Sequence, residues 1–150
     1  MSRDARRRRR AAATLAALAA MASLSACSEV TPAEQKHYSP AAISPVKGEK
    51  DLVSVTLTRE GADRIGIATG AVGRWTGHKT IPYAALLYEH DGSAFVYTNP
   101  RGLTYVRAHI EIDRVAGDRV LLDKGPAVGT KVVTTGAPQV HGAELEYGEY

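Results

Sequence analysis

The chain has 150 residues, of which 44% are hydrophobic and 23% are charged, and this excludes both a chain that is disordered throughout and a protein with several membrane spans. Its formal net charge is +3, but six of its 19 basic residues lie in the first ten positions beside a single acid. The rest of the chain carries 13 basic and 15 acidic residues, so the charge does not point to DNA or RNA and we expect no nucleic-acid partner.

The first 26 residues have the layout of a secretory signal peptide, because a cationic segment is followed by an apolar segment and then by small residues. The uncharged stretch 11–26 has 16 residues, fewer than the roughly 20 that a helix needs to cross a bilayer. It ends directly before Cys27, which is the only cysteine of the chain.

The end of this segment, Leu24-Ser25-Ala26-Cys27, resembles the lipobox of bacterial lipoproteins. The resemblance implies that the chain is cut between Ala26 and Cys27 and that the Cys27 thiol carries acyl chains. The protein would then be held by membrane lipid on the extracytoplasmic side of the cell membrane. An ordinary secretory signal with a cysteine nearby and a retained membrane anchor are the alternatives. A single cysteine also excludes a disulfide within one chain, and we expect no catalytic thiol.

The segment 27–50 begins at the expected lipidated cysteine and is predicted to be a flexible linker. It contains Pro32, Pro40, Pro45 and Gly48 among scattered charges, with too little apolar surface to offset the entropy lost on ordering. The folded domain is expected to cover residues 51–150, which is enough chain for one small core.

This domain is expected to begin with a strand and a short helix. Val53, Val55 and Leu57 alternate with polar residues, which is the period of a half-buried strand. Thr58 is expected to cap a short helical turn that ends at Gly66.

The rest of the domain is predicted to consist of strands joined by turns. The expected strands cover residues 84–88, 94–98, 105–112, 120–122 and 131–135. Asp91-Gly92 is typical of a hairpin, and Asn99-Pro100-Arg101-Gly102 of a second turn. No window of 12 residues after Lys50 has sustained helical periodicity. The predicted fold is therefore mainly β, a small antiparallel β-roll or barrel with one short helix.

Two blocks of this domain resemble the periplasmic adaptor subunits, or membrane fusion proteins, of heavy-metal-type RND efflux pumps. The first block, 55–69, resembles the strand and turn near the start of those proteins. The second block resembles their end and is made of the segments 81–87, 95–97, 132–137 and 141–144. In the family the two blocks pair in space and form the membrane-proximal β-domain.

The resemblance covers essentially the whole predicted domain but not a whole adaptor. Family members carry a lipoyl-like domain, usually an α-helical hairpin and a further β-barrel between the two blocks, whereas only residues 71–80 separate them here. The resemblance implies a free-standing membrane-proximal domain that docks on an extracytoplasmic membrane partner, such as an RND- or ABC-type transporter. Such a domain does not bridge an envelope by itself.

The histidines and carboxylates give little indication of an enzyme or a metal protein. The five histidines are His37, His78, His90, His109 and His141, and the closest two are twelve positions apart, whereas zinc and copper sites show close clusters. Glu89-His90-Asp91 is one candidate, and the alternative is that these residues are solvated at a hairpin tip. Sequence motifs for hydrolysis or phosphate binding are absent, so we expect no catalytic residue, no metal and no cofactor.

Two further features leave alternatives open. The tyrosines Tyr83, Tyr88, Tyr97 and Tyr105 either form a binding face or complete a core that is poor in Phe and Trp. The tail 144–150 is expected to be a loosely attached acidic end. The leading hypothesis is a lipid-anchored, non-enzymatic docking module, and the alternative is a small metal- or ligand-binding lipoprotein that reuses the same domain.

Overall fold

The computed structural model describes residues 39–49 and 52–147, with side chains to residue 146. The expected signal peptide 1–26, the cleavage site between Ala26 and Cys27 and the lipidation site Cys27 lie outside these residues. The first part of the predicted linker, 27–38, lies outside them as well.

The described chain forms ten strands and two α-helices. The strands are β1 Ala41–Pro45, β2 Val53–Leu57, β3 Ala68–Ala71, β4 Gly73–Trp75, β5 His78–Pro82, β6 Leu87–Tyr88, β7 Ala94–Arg101, β8 Thr104–Ala116, β9 Arg119–Lys124 and β10 Lys131–Thr135. The helices are α1 Arg59–Ile65 and α2 Ala137–Tyr147, and a 3₁₀ turn covers Tyr83–Ala85. The prediction of a mainly β, antiparallel fold is confirmed.

The strands form one antiparallel sheet that curls into a barrel. Its order is β3-β10-β7-β8-β9-β5-β4, and the two ends of this order, β3 and β4, are consecutive in the chain with only Val72 between them. The sheet therefore curls until its ends meet at Val72. The backbone N–H of Val72 donates to the carbonyl of Thr130 over 2.8 Å, and the side chain is 1% exposed.

The inside of the barrel is filled by apolar residues from all its strands except the short β3 and β4. Its buried members are Val72, Ile81, Ala85, Val96, Ile110, Val120, Leu122 and Val132. Because successive residues of a strand point to opposite faces, the neighbours of these residues face outward.

A second core lies on the outer face of β7, β8 and β10, under β1, β2 and the two helices. Its buried members are Ala41, Val55, Leu57, Ala62, Phe95, Tyr97, Tyr105, Val133, Ala137 and Val140. The helix α1 begins and ends as predicted: the Thr58 hydroxyl accepts the Gly61 N–H over 3.0 Å, and Gly66 closes the helix with a left-handed φ of 68°. The long strand β8 joins the two cores, because it pairs with β2 at its start and with β9 at its end.

The linker prediction is wrong for residues 41–45, which form β1. Ala41 lies opposite Leu57 in the antiparallel pair with β2 and is 4% exposed. Its small side chain fits the outer core, and Pro45 is tolerated because β1 pairs on one side only. The fold therefore begins at least ten residues before the expected boundary at 51.

Three further expectations differ from the structure. There are two described helices instead of one, since α2 follows β10. The strand expected at 84–88 is a 3₁₀ turn followed by the two-residue β6. The turn expected at Asn99 lies further along, at Gly102-Leu103, because β7 continues through an irregular register to Arg101. The Asp91-Gly92 hairpin between β6 and β7 is confirmed.

Candidate functional site

A cluster of polar side chains lies between α2 and the outer face of the barrel. Strand pairing puts Tyr97 of β7 directly opposite Arg107 of β8, so both side chains point to the same face of the sheet. The helix α2 packs on this face and contributes His141 and Glu144, which are three positions apart and therefore lie on one side of the helix. Glu89, from the turn before β7, completes the set. We call these five residues the Arg107 cluster.

Arg107 is the centre of the cluster. Its Nη2 donates to Oε1 of Glu144 over 2.8 Å, and its Nη1 donates to Oε1 of Glu89. The guanidinium also lies over the ring of Phe95, 4.8 Å from the centroid, which adds a cation–π contact. The side chains of Arg107 and Glu89 are each 15% exposed and that of Glu144 is 4% exposed. Charges buried to this extent are stable only when they are paired.

Tyr97 connects Glu144 to His141. Its hydroxyl donates to Oε2 of Glu144, and Nδ1 of His141 lies 3.1 Å from the same hydroxyl. Because the single hydroxyl proton is used by Glu144, the His141 tautomer that carries a proton on Nδ1 can donate to the Tyr97 oxygen.

The electrostatics keep Tyr97 protonated and Arg107 charged. Burial raises the pKa of Tyr97 far above its usual value of 10.0, and the hydrogen bond to Glu144 and its negative charge raise it further. Burial alone would lower the pKa of Arg107, but the carboxylates of Glu144 and Glu89 outweigh it and the pKa is raised. Tyr97 therefore stays neutral and Arg107 stays charged through the neutral pH range.

The side chains of the Arg107 cluster bind one another and join α2 to the sheet. The polar atoms of Glu144 and Tyr97 face partners inside the protein, while Nε of Arg107 is buried without a hydrogen-bond partner in the described part of the chain. The two surface hollows described below are lined by other residues. We therefore assign the cluster to the attachment of α2. The tail expectation is wrong for Glu144, because this residue is one of the most buried polar residues of the domain.

The four tyrosines divide between the two alternatives. Tyr97 and Tyr105 are buried in the outer core, at 0% and 1% exposure, so they complete it. Tyr83 and Tyr88 are 52% and 56% exposed and belong to the surface.

The candidate metal ligands do not come together. Glu89 turns to Arg107, and Asp91 accepts the backbone N–H of Ser93 over 2.8 Å, which lowers the pKa of Asp91. Glu89 is therefore neither a ligand with His90 nor solvated at the hairpin tip. Within residues 39–49 and 52–147, no three His, Cys, Asp or Glu side chains form a group that could hold a metal ion. His37 lies outside the described residues.

Three connections lie at one end of the barrel: the β4–β5 turn, the β7–β8 turn and the loop 125–130. The chain also enters the domain at this end. Lys79 Nζ, after the β4–β5 turn, donates to the carbonyl of Gly125 over 2.7 Å, so that turn lies beside the loop 125–130. The far end of this loop lines a hollow of about 420 Å³ together with residues 99–102 of the β7–β8 turn. Leu57 N–H donates to the carbonyl of Leu103 in the same turn.

The chain enters the domain at the same place. The carbonyl of Pro40 accepts the backbone N–H of Thr58 over 2.9 Å, directly after Leu57. We call this surface the entry end, defined by the segments 74–79, 99–103 and 125–131. It exposes Trp75 at 42% and Val128 at 48%. A second hollow, of about 520 Å³, shares Pro100 and Arg101 with the first and extends along β1 to Lys47.

Comparison of the chain with protein-family models, with curated proteins and with solved structures finds no match in any of the three. None of the helices in the described ranges combines the length and the apolar character needed to cross a bilayer.

Proposed function

We propose that this protein is a lipid-anchored, non-enzymatic module that docks on an extracytoplasmic membrane partner, with a transporter of the RND or ABC type as the leading class. Cys27 is the proposed site of lipidation and the bond between Ala26 and Cys27 the proposed site of cleavage. The domain 39–147 is the proposed counterpart of the membrane-proximal domain of an efflux adaptor.

The observation that carries this proposal is the pairing of β3 with β10. These strands come from the two blocks that resemble efflux adaptors, 55–69 and 132–137, and Thr69 lies opposite Val133 in the antiparallel register. Next to this pair, Gly136 packs against Ile65 and Ile67 of the first block. The two blocks thus meet in space without any domain between them, which is the arrangement that the resemblance implies.

The lipid anchor is tested by comparing the full chain with the Cys27→Ala variant in membrane fractions. We expect the wild-type chain in the membrane fraction, with mass spectrometry showing an acylated Cys27 at the new N-terminus. The variant should move to the soluble fraction with an unchanged circular dichroism spectrum. Ser28→Ala is the matched control and should stay with the membrane. An unmodified thiol, or membrane retention of Cys27→Ala equal to that of the wild type, would contradict the anchor.

The docking partner is tested by photo-crosslinking in intact cells. A photoreactive side chain replaces Tyr83 or Tyr88, which are exposed by more than half and so tolerate it. We expect one of these positions to give an adduct with a membrane transporter subunit, identified by mass spectrometry. Tyr105 is buried, so a photoreactive side chain is not placed there. Lipid adducts alone at both positions would argue against a protein partner.

The alternative function is tested on the same purified protein. Titration with Zn²⁺ or Cu²⁺ should give no stoichiometric sub-micromolar binding if the docking module is correct. Such binding would instead favour a metal-binding lipoprotein.

A further inference from the structure

The entry end differs in charge from the opposite end of the barrel. The three segments that define it contain Arg74, Lys79, Arg101 and Lys131 and have no Asp or Glu. The turns at the opposite end, β6–β7 and β8–β9, carry Glu89, Asp91 and Asp118 and have no Lys or Arg. The entry end is therefore cationic, whereas at the opposite end Glu89 is paired with Arg107 and Asp118 with Arg119.

Neighbouring carboxylates do not cancel the positive charge of the entry end. On its flank, Glu111 is bound to Lys124 at 2.7 Å and Asp113 to Arg114 at 2.9 Å, and Oδ2 of Asp113 also lies 3.9 Å from Nδ1 of His78. The Arg74 guanidinium donates to the carbonyl of Gly77 in the tip of its own hairpin, which is a neutral partner.

The apolar residues of this end suit an interface between water and lipid. Trp75, the only tryptophan of the chain, lies on the β4–β5 hairpin among Arg74, His78 and Lys79. Tryptophan is enriched where headgroups meet the acyl chains, because its ring is apolar and its N–H is polar. Lys and Arg next to it are attracted by the phosphates of anionic lipids.

The length of the tether limits how far this end can lie from a lipid at Cys27. The folded domain starts at Ser39 at the latest, only twelve positions after Cys27, and such a segment spans at most about 40 Å when fully extended. The chain passes from this segment into β1 beside Leu57 and Leu103, at the entry end. A lipid at Cys27 thus keeps the entry end within reach of the bilayer surface.

We propose that the entry end binds the anionic phospholipid surface in which the chain is anchored, with Trp75 in the headgroup layer and Arg101 and Lys131 on lipid phosphates. This inference rests on the proposed lipid anchor. It leaves the opposite end, with exposed Tyr83 and Val115, directed away from the membrane.

The test uses the fluorescence of Trp75 in the full lipidated chain, reconstituted in vesicles of phosphatidylcholine with brominated phosphatidylglycerol. We expect a blue shift of the emission and quenching by the bromine atoms. The double variant Arg101→Glu with Lys131→Glu should lose both while still floating with the vesicles through its anchor. Arg119→Glu, which reverses an exposed arginine at the opposite end, is the matched control and should be quenched like the wild type.

The outcomes separate this inference from the proposed function. If the wild-type chain floats with the vesicles but Trp75 is not quenched, the anchor stands and the orientation is overturned. If the chain does not float, the anchor is contradicted, and the orientation is then measured with the unlipidated Cys27→Ser chain on vesicles of phosphatidylglycerol and phosphatidylcholine. There, each charge reversal at Arg101 or Lys131 should lower partitioning roughly fivefold or more relative to Arg119→Glu. Equal partitioning of all three variants would overturn the inference.

Discussion

The guanidinium of Arg107 and the carboxylate of Glu144 lie 2.8 Å apart, although 37 residues separate them in the chain. Arg107 is in the first half of the longest strand and Glu144 in the helix that follows the last strand. Their contact helps to fix where α2 sits on the barrel, because Glu144 is buried in a later turn of the helix, beyond the buried Ala137 and Val140, where Ala143 is only partly buried.

Replacing Arg107 by Met should destabilise the domain by about 3 kcal/mol, because Glu144 and Glu89 would lose the charge that compensates their burial. Thermal or urea unfolding followed by circular dichroism measures the change. Arg114→Met is the matched control: Arg114 is 54% exposed and its ion pair with Asp113 is at the surface, so the change should be within about 0.5 kcal/mol. Equal stabilities of the two variants would show that the Arg107 cluster does not hold α2.

Tyr97→Phe should change how stability depends on alkaline pH. The pKa of Tyr97 is raised in the folded state, so its favourable contribution is complete below the unfolded pKa of 10.0 and is lost as the pH rises above it. The free energy of unfolding of the wild type should therefore fall by about 1.4 kcal/mol per pH unit more steeply than that of the variant above pH 10. Urea unfolding from about pH 8 to about pH 11 gives both curves.

The comparison of the two curves is also the control, since the two proteins differ in no other titratable group. At neutral pH the variant should be less stable by about 1–2 kcal/mol, because Glu144 loses a buried hydrogen bond. A difference between wild type and variant that stays constant across the alkaline range would contradict a raised pKa of Tyr97.

Local signals in the sequence are sufficient for the elements that depend on local contacts. The alternation of Val53, Val55 and Leu57 predicts β2, and the caps at Thr58 and Gly66 predict α1, because each of these signals acts within a few residues. The alternation of polar and apolar residues in β8 predicts the two faces of this strand less completely. It predicts that Tyr105 and Arg107 are on a polar face, whereas both faces of the first part of this strand are covered and Tyr105 is buried.

The elements that the sequence does not predict depend on distant partners. In α2 the positions 137, 140 and 144 face the core at helical spacing, but the third is Glu144, whose burial is possible only opposite Arg107. An apolar pattern broken by a glutamate cannot reveal that pairing. The spacing of Ala137, Val140 and Glu144 was the only local signal. Likewise β1 consists of small residues and gains its structure from hydrogen bonding to β2.

The inclusion of β1 in the fold is tested by a pair of neighbouring substitutions. Ala41→Asp should destabilise the domain by about 3 kcal/mol, because it places a carboxylate at a position that is 4% exposed in the outer core. Ala42→Asp is the control, since Ala42 points to the exposed face of the same strand and the change should be within about 0.5 kcal/mol. Urea unfolding measures both. If Ala41→Asp is as stable as Ala42→Asp, residues 41–45 do not belong to the cooperative fold.

The link between β10 and α2 is tested by two Gly→Ala substitutions, one directly before α2 and one within it. Gly136 has a φ of +84°, and an added Cβ would lie 2.6 Å from Cδ1 of Ile67 and would also collide with Ile65. Gly136→Ala should therefore cost about 3 kcal/mol through backbone strain and overpacking. Gly142 lies within α2 with no atom within 4 Å of an added Cβ, so Gly142→Ala should stabilise the domain by up to about 1 kcal/mol.

Opposite signs for the two Gly→Ala substitutions, measured by thermal unfolding, are the expected result. They follow from the contact of Gly136 with Ile65 and Ile67. This contact places the residue before α2 against the end of α1 and the residue directly before β3. The double variant Gly136→Ala with Ile67→Val should recover part of the loss, because it removes the methyl group in closest contact on Ile67 but leaves the strain of the positive φ. If Gly136→Ala were as stable as Gly142→Ala, β10 and α2 would not be joined by a close turn against Ile65 and Ile67, and the meeting of the two adaptor-like blocks would lose its main packing contact.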